Sequence, residues 1–311
     1  MQKTLYGDLI VEAKPFLKWA GGKSQLISEI EKRFPSEIKK SKTIKKYFEP
    51  FIGGGALFFY LMSNYKVKKA FISDINPEVI LTYDVIKNNP KDLIEELNLL
   101  KKNYKKNNFI ENKNYFYKVR HKFNESLKSF DFKNYSEKHI LRAAHLIFLN
   151  KTCYNGLFRV NKNGEFNVPF GNPKNPLFYD KNNILNASSF LKKTTIKCAN
   201  YDYFENLIDS DSLVYLDPPY RPLNKSSFLS YSKHDFNDKS QREVYEFYKR
   251  ISNKSAKVIL SNSDPKNVNE KDNFFDELYA EFKIDRISAK RMINSDGAKR
   301  GDINEILVYN Y

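Results

Sequence analysis

The chain has little cysteine and histidine, with two Cys and four His among 311 residues. Cys153 and Cys198 are too few for a disulfide framework or a zinc-type cluster, and the histidines lack metal-ligand spacing. No apolar run approaches the roughly 20 residues that cross a bilayer, and residues 1–13 lack the apolar segment of a signal peptide. These absences predict a cytoplasmic protein that needs no metal.

Positive charge is in excess, since 53 Lys and Arg against 37 Asp and Glu give a net charge of +16. Such an excess favours a polyanionic partner, either nucleic acid or an anionic membrane surface. A membrane-surface protein would need a basic amphipathic helix with a bulky apolar face, and the sequence shows none. The 21 Tyr and 25 Phe make disorder improbable. The length allows one large domain or two modest ones.

The segment 213–220, Leu-Val-Tyr-Leu-Asp-Pro-Pro-Tyr, organises the rest of the chain. A short apolar strand ends at a carboxylate, and the two prolines prevent the strand from continuing. Asp217 and the Pro218 carbonyl are two fixed hydrogen-bond acceptors, and Tyr220 adds a flat ring. This set would suit a planar base with an amino group, although the same residues also occur in ordinary surface turns.

A second motif, in residues 46–62, has the pattern of a strand, the glycine turn Gly53–Gly55 and a helix. Glycines at such a turn let a ligand approach the backbone closely. Nineteen positions beyond Gly55 a further strand ends at Asp74, a distance at which an acid commonly holds ribose hydroxyls. Because Gly-x-Gly-x-x-Gly is absent, the pattern favours an adenosine-containing cofactor without a diphosphate.

Near the N-terminus, Gly21-Gly22-Lys23 precedes an amphipathic run and predicts a loop that enters a helix. The helix N-terminus and Lys23 would together favour an anionic group. The spacing of a P-loop is absent. Trp19, the single tryptophan, is either a core residue or part of this site.

Residues 85–180 differ in character, with 18 Lys and Arg against 9 Asp and Glu. Helical spacing appears at 90–105 and 136–150. Within 155–171, two short β runs flank a hairpin-type turn, Asn161–Gly164. This hairpin could enter a DNA groove and read base edges, or it could be an ordinary hairpin at a domain edge. Strands predicted at 196–203, 257–262, 282–287 and 305–309, with a helix at 237–251, indicate an open α/β sheet interrupted by this module.

Six segments together resemble the Dam-type (D12 class, alpha group) DNA adenine-N6 methyltransferases, which include enzymes of restriction–modification systems. They are residues 16–23 (FLKWAGGK), 48–55 (FEPFIGGG), Asp74, 155–159 (NGLFR), 166–171 (FNVPFG) and 217–220 (DPPY). They occur in the family's order and span nearly the whole chain. The resemblance implies an α/β, Rossmann-like methyltransferase domain formed by residues 1–84 and 181–311. An inserted, mostly helical target-recognition domain, residues 85–180, would carry the hairpin.

By the same resemblance the cofactor is S-adenosylmethionine and the substrate is double-stranded DNA. Trp19 and Lys23 would lie at the methionine end of the cofactor, Asp74 at its ribose and Asp202 at its adenine. The full cofactor set is Trp19, Lys23, Glu49, Pro50, Phe51, Gly53, Gly55, Asp74, Asp202 and Asp217. The catalytic set is Asp217, Pro218, Pro219 and Tyr220, and no covalent intermediate is needed.

The resemblance also implies DNA contacts, by Lys18, Asn155, Leu157, Arg159 and Pro169. Arg159 would read a guanine, and Leu157 would fill the gap left by a flipped adenine. GATC is the leading target, but relatives that read GATC often have Arg-Tyr after the glycine matched by Gly171. This chain has Asn172-Pro173 there. A monomer is expected, and a cognate restriction endonuclease could act separately.

Two other functions stay open at this point. One is an enzyme that methylates RNA or a free small molecule, although the basic module disfavours a small molecule and the order of segments disfavours RNA. The other is a catalytically silent DNA-binding relative, which should have damaged the Asp-Pro-Pro-Tyr segment or the glycine turn, and both are intact. Cytosine-C5 methylation requires a nucleophilic cysteine, and neither Cys153 nor Cys198 has a fitting neighbourhood.

Overall fold

A computed structural model describes residues 11–19, 23–105, 108–221, 236–290 and 302–311. Its centre is one seven-stranded sheet with the order β3-β2-β1-β4-β5-β7-β6. Neighbouring strands run parallel except for β7, which is antiparallel to both β5 and β6. The strands are β1 (Thr43–Glu49), β2 (Lys66–Asp74), β3 (Thr194–Cys198), β4 (Ser212–Leu216), β5 (Lys257–Ser263), β6 (Lys283–Lys290) and β7 (Asp302–Tyr309). The predicted open α/β sheet is confirmed.

The described residues also form ten α-helices. They are α1 (Ile27–Lys32), α2 (Ser36–Ser41), α3 (Ala56–Asn64), α4 (Pro77–Asn88), α5 (Pro90–Asn103), α6 (Phe109–Leu127), α7 (Glu137–Thr152), α8 (Lys181–Leu191), α9 (Asp238–Asn253) and α10 (Phe274–Leu278). None of these helices is long and apolar enough to cross a membrane.

The order of strands determines where a ligand can bind. From β1 the chain proceeds outward to β2 and β3, and from β4 it proceeds to the other side of the sheet, so the order reverses between β1 and β4. All five residues of β4 are buried, as expected for a central parallel strand covered on both faces. In open α/β sheets, ligands bind beyond the carboxyl ends of the strands at such a reversal.

Between α4 and α8 the described residues add the helices α5, α6 and α7 and no strand of the sheet. The helix α7 packs against α4, α5 and α6, and twelve of its sixteen residues are buried. Arg142 of α7 lies 2% exposed beside Glu78 of α4, so a buried ion pair joins the inserted helices to a helix of the sheet.

Two expectations for local structure need correction. The turn at Asn161–Gly164 is present, but the flanking β runs are shorter than predicted, because one antiparallel bridge, Val160 to Phe166, with a hydrogen bond on either side, is all that pairs across it in the described residues. The Asn124 amide of α6 binds the N–H and the carbonyl of Phe166 that this bridge leaves free.

The strand predicted at 196–203 ends at Cys198, so Asp202 lies in a turn beyond it. The ladder stops there because its partner β2 ends at Asp74, whose carbonyl accepts the last hydrogen bond from the Ala199 N–H. Gly21-Gly22, most of the loop after Arg221 and the basic loop at 291–301 lie outside the described residues.

Candidate active site

Asp217 stands directly after β4, at the reversal of the sheet. Its Oδ1 lies 2.7 Å from the Lys23 Nζ and accepts a hydrogen bond of 3.0 Å from the Ser261 hydroxyl. Burial raises the pKa of Asp217, and the Lys23 ammonium and the Ser261 hydroxyl oppose that rise. The Asp217 side chain is 21% exposed and that of Lys23 is 5% exposed. The Asp217 carboxylate is thus accessible to a substrate, and Lys23 and Ser261 hold it in position.

The prolines after Asp217 are held by α9 and β5. The Gln241 amide donates 2.9 Å to the Pro219 carbonyl, and Asn262 orients that amide by donating 3.1 Å to its oxygen. Asn262 in turn accepts from the Arg221 N–H at 3.1 Å. Within the described part of the chain, the Pro218 carbonyl accepts no hydrogen bond. Among these residues nothing occupies it, which is compatible with the predicted role of a second acceptor beside Asp217.

Tyr220 completes the cluster. The Lys23 ammonium lies 4.4 Å from the centre of its ring, in the range of a cation–π interaction. The Tyr220 hydroxyl donates a hydrogen bond to Glu305 of β7. Tyr220 is half-buried, so its ring is held in place and still reaches the site.

The glycine turn after β1 is fastened to the end of β2. The Gly53 N–H donates 3.0 Å to one carboxylate oxygen of Asp74, and the Asn76 N–H donates 2.9 Å to the other. The Tyr83 hydroxyl donates 3.2 Å to the Gly53 carbonyl. Burial raises the pKa of Asp74, and these backbone donors oppose the rise. The glycine turn and Asp74, which are 19 or more positions apart in the sequence, therefore form one rigid unit.

Gly55 adopts a φ of +70°, and a Cβ there would lie 2.4 Å from the Tyr83 hydroxyl. We expect Gly55→Ala to lower the free energy of unfolding by about 1–3 kcal/mol, because a left-handed conformation and a clash are both imposed. Gly54→Ala is the matched control, since its Cβ would approach only the Trp19 Cβ, at 3.0 Å, without a left-handed φ. Urea unfolding of both variants measures the difference. Equal losses would show that the conformation of Gly55 is not the cause.

The other residues expected near the cofactor differ in their surroundings. Trp19 stacks on Phe158 with 5.6 Å between ring centres and packs over Gly53 and Gly54, so it connects the glycine turn to the segment that follows α7. Phe51 stacks on Tyr201 at 5.4 Å. Pro50 is buried, whereas Asp202 is exposed and, within the described residues, makes no hydrogen bond or ion pair with the Asp217 cluster or the glycine turn.

Glu49, the last residue of β1, is 3% exposed. Burial, together with the nearby Asp217 carboxylate, raises its pKa to about 8, although a hydrogen bond of 2.6 Å from the Tyr47 hydroxyl and the Lys23 ammonium act against that rise. Glu49 is therefore mostly protonated at neutral pH and adds little negative charge behind Asp217.

The residues expected to contact DNA lie on two joined segments. The Asn150 side chain binds both the N–H and the carbonyl of Lys18, at 2.7 and 2.9 Å, and also the Gly156 carbonyl at 2.9 Å. Left-handed φ values of 55° and 66° at Asn155 and Gly156 turn the chain there. Lys18, Asn155, Arg159 and Pro169 are exposed, and Leu157 is half-buried.

The structure adds residues to the site that sequence patterns missed. Ser261 could have been found, because it belongs to a predicted strand whose carboxyl end meets the same edge of the sheet as Asp217. Glu305 could not be found in this way. Because β7 is antiparallel to β5, its amino-terminal half, and not its carboxyl end, lies at the edge of the sheet that holds Asp217. Among the described residues, no group of three or more His, Cys, Asp or Glu could hold a metal ion.

The sequence is similar to those of known proteins. A family model for D12 class N6 adenine-specific DNA methyltransferases matches residues 19–293. The type II methyltransferase M.MjaIII of Methanocaldococcus jannaschii is 49% identical over 303 residues, which cover 97% of this chain and 100% of the relative. The type II methyltransferase M1.LlaDCHI of Lactococcus lactis is 36% identical, over 97% of this chain and 96% of its own length.

A DNA adenine methylase of Haemophilus influenzae is 32% identical, over 94% of this chain and 92% of its own length. The match of the family model extends over most of the chain, and these relatives align over nearly their full lengths. The seven-stranded sheet is consistent with a methyltransferase fold of this kind. The chain therefore belongs to the D12 class of N6 adenine-specific DNA methyltransferases.

Proposed function

We propose that this enzyme transfers a methyl group from S-adenosylmethionine to N6 of an adenine flipped out of a short, specific sequence of double-stranded DNA. The observation that carries the proposal is the pair of acceptors, Asp217 and the Pro218 carbonyl, beside the anchored ring of Tyr220. Adenine presents a donor amino group and a flat face, and this site offers the complement of both.

The residues at the ends of β1 and β2 fit S-adenosylmethionine. The Gly53–Gly55 turn is backbone without side chains, and the half-buried Asp74 beside it would accept hydrogen bonds from ribose hydroxyls. No Gly-rich phosphate cradle is needed, because this cofactor has no phosphate. When bound, the cofactor supplies a methyl group on a positively charged sulfur. Trp19, Lys23, Glu49, Pro50, Phe51, Asp202 and Asp217 stay in the proposed cofactor set.

The task of Asp217 is to orient the amino group, which is a poor nucleophile because its lone pair is delocalised into the ring. The hydrogen bonds from Lys23 and Ser261 both go to Oδ1, so Oδ2 can accept from one amino hydrogen. The Pro218 carbonyl can accept from the other. Two acceptors at fixed positions would direct the nitrogen lone pair toward the methyl group, so that positioning and electrostatics provide the acceleration.

An adenine inside a duplex cannot reach Asp217, so the base must leave the helix at a cost of a few kcal/mol. Stacking of the adenine on Tyr220 would offset part of that cost, since base–aromatic stacking contributes about 1–3 kcal/mol of favourable free energy per base. We further propose that residues 85–180 form the target-recognition domain and that 1–84 and 181–311 form the catalytic domain. Lys18, Asn155, Leu157, Arg159 and Pro169 would contact DNA, and Leu157 would fill the vacated space.

Arg159 is the proposed reader of a guanine. Its Nε donates 2.7 Å to the Asn167 amide oxygen, and this contact leaves the two terminal nitrogens able to bind O6 and N7 of the base. We expect Arg159→Ala to relax the preference at one base pair by about 1–3 kcal/mol. Methylation rates on duplexes that differ at single positions measure this preference.

Lys162→Ala is the control for Arg159→Ala, because Lys162 is exposed in the neighbouring turn. It should weaken binding to all sequences alike and reduce the salt dependence, as loss of a phosphate contact does. An unchanged preference in Arg159→Ala would remove this residue as a base reader.

The proposed function is tested by incubating unmethylated bacterial DNA with the purified protein and S-adenosylmethionine, followed by single-base sequencing of N6-methyladenine. Methylation of adenine within one short motif is expected. GATC is the leading motif. A different motif would be attributed to Asn172-Pro173, which stands where GATC readers often have Arg-Tyr. Absence of methylation from DNA despite cofactor binding would favour an RNA substrate or a silent relative. We also propose that the enzyme acts as a monomer. A cognate restriction endonuclease would act separately from it.

A further inference from the structure

Glu305 contacts Tyr220, a residue of the proposed adenine site, from a strand that no sequence motif marked. It lies in β7, the antiparallel strand, where it is in register with Ser263 of β5 and Ile287 of β6. Its carboxylate accepts a hydrogen bond from the Tyr220 hydroxyl across 85 residues of sequence. Among the described residues, Tyr220 is the only hydrogen-bond donor to the Glu305 side chain. Within the described part of the chain, this hydrogen bond thus links Glu305 to the ring.

The Tyr220 ring is consequently held at two points. Glu305 fixes the hydroxyl at the tip of the ring, and the Lys23 ammonium lies 4.4 Å from the ring centre, over one face. The same ammonium is 2.7 Å from the Asp217 Oδ1. Since the cation occupies one face, only the opposite face can stack on a base. The orientation of that face is then set relative to Asp217 before any substrate arrives.

The charges around the ring favour this arrangement. The positive charge of Lys23 opposes the rise that burial imposes on the pKa of Asp217 and of Glu305. A polar group withdrawn from water is costly to leave without a partner, which favours keeping the hydrogen bond between Tyr220 and Glu305. The ring is thus restrained more firmly than by packing alone.

We propose that Glu305 is a positioning residue for methyl transfer, which acts by fixing the Tyr220 ring against the target adenine through its hydrogen bond to the Tyr220 hydroxyl. The role rests on the proposed function, because it requires an adenine in the site. A small loss of alignment between reacting groups can cost a large factor in rate. Glu305 therefore acts on the rate of transfer and not on the binding of DNA.

The test compares Glu305→Ala, Glu305→Gln, Tyr220→Phe and the double variant Glu305→Ala/Tyr220→Phe. The substrates are S-adenosylmethionine and a duplex that carries the motif methylated by the wild-type enzyme. Glu305→Ala and Tyr220→Phe each remove the same bond, so each should lower kcat about 10-fold with the Kd for DNA nearly unchanged. The double variant should be no slower than the slower single variant, because the two residues act through one bond.

Glu305→Gln and one further variant, Glu281→Ala, separate positioning from a general structural role. Glu305→Gln keeps an oxygen that can accept from Tyr220, so it should restore most of the rate. Glu281→Ala is the matched control, because Glu281 accepts a 2.6 Å hydrogen bond from the Tyr245 hydroxyl and is exposed. It should leave kcat unchanged. If Glu305→Ala does not fold, Tyr220→Phe still tests the Tyr220–Glu305 hydrogen bond, because it leaves β7 unchanged.

Four results would overturn the role of Glu305 in an active wild-type enzyme: full activity of Glu305→Ala, additive losses in the double variant, failure of Glu305→Gln to recover activity, or an equal loss in Glu281→Ala. A wild-type enzyme that transfers no methyl group to adenine would overturn the proposed function itself, and this role with it. The two failures are therefore distinguishable.

Discussion

Asp217→Ala is expected to lower the rate of methyl transfer about 1,000-fold or more, while DNA binding changes little. Single groups that stabilise a reacting centre are commonly worth factors of about 100 to 1,000 in rate, and Asp217 would also position the nucleophile. Binding to DNA depends mainly on phosphate contacts made by basic residues elsewhere. Single-turnover transfer of a labelled methyl group and a DNA mobility shift measure the two effects separately.

The loss of Asp217 also leaves the Lys23 ammonium without this carboxylate, so folding has to be checked by thermal unfolding. Asp217→Asn is the second variant, because it keeps the shape and should be nearly as inactive. Asp211→Ala serves as the control, since Asp211 lies just before the other end of β4 in an exposed pair with Lys45. That change should leave the rate unaltered. Loss of DNA binding with retained transfer would refute the role of Asp217.

Arg142→Ala is expected to lower the free energy of unfolding by about 3–5 kcal/mol, because it leaves the buried Glu78 carboxylate uncompensated. The Arg142 Nε donates 2.9 Å to Glu78, and NH1 donates 3.0 Å to the Phe123 carbonyl and 2.6 Å to the Ser126 hydroxyl. The guanidinium also lies 4.2 Å from the centre of the Phe123 ring. Burial raises the pKa of Glu78, and Arg142 counteracts that rise.

Urea unfolding at neutral pH measures the effect of Arg142→Ala. Arg250→Ala is the matched control, because Arg250 binds Glu205 through two nitrogens but is 49% exposed. An exposed pair is worth about 0–1 kcal/mol. The double variant Glu78→Gln/Arg142→Met should recover part of the loss, since it removes both buried charges. Equal losses in Arg142→Ala and Arg250→Ala would show that burial of the pair is unimportant.

Several features could be predicted because they depend on local chemistry. The prolines after Asp217 end β4 in any fold, and the glycine turn before α3 needs residues that tolerate a left-handed φ. The apolar runs of β4 and β5 have the composition of buried parallel strands. The extent of the hairpin was predicted less well, since Val160 and Phe166 form a single bridge across its turn and the Asn124 side chain binds the free edge of Phe166. That contact depends on α6, which is distant in sequence.

The sequence by itself determined the order of the motifs, the open α/β class and the two acceptors at Asp217 and Pro218. Only the tertiary structure decided what supports them. Ser261 reaches Asp217 across 44 residues of sequence, and Glu305 reaches Tyr220 across 85. Strand pairing and sheet order set such contacts, and a local pattern of residues carries no information about them. Pattern thus identifies the groups that would touch the substrate, and packing identifies the groups that hold them in position.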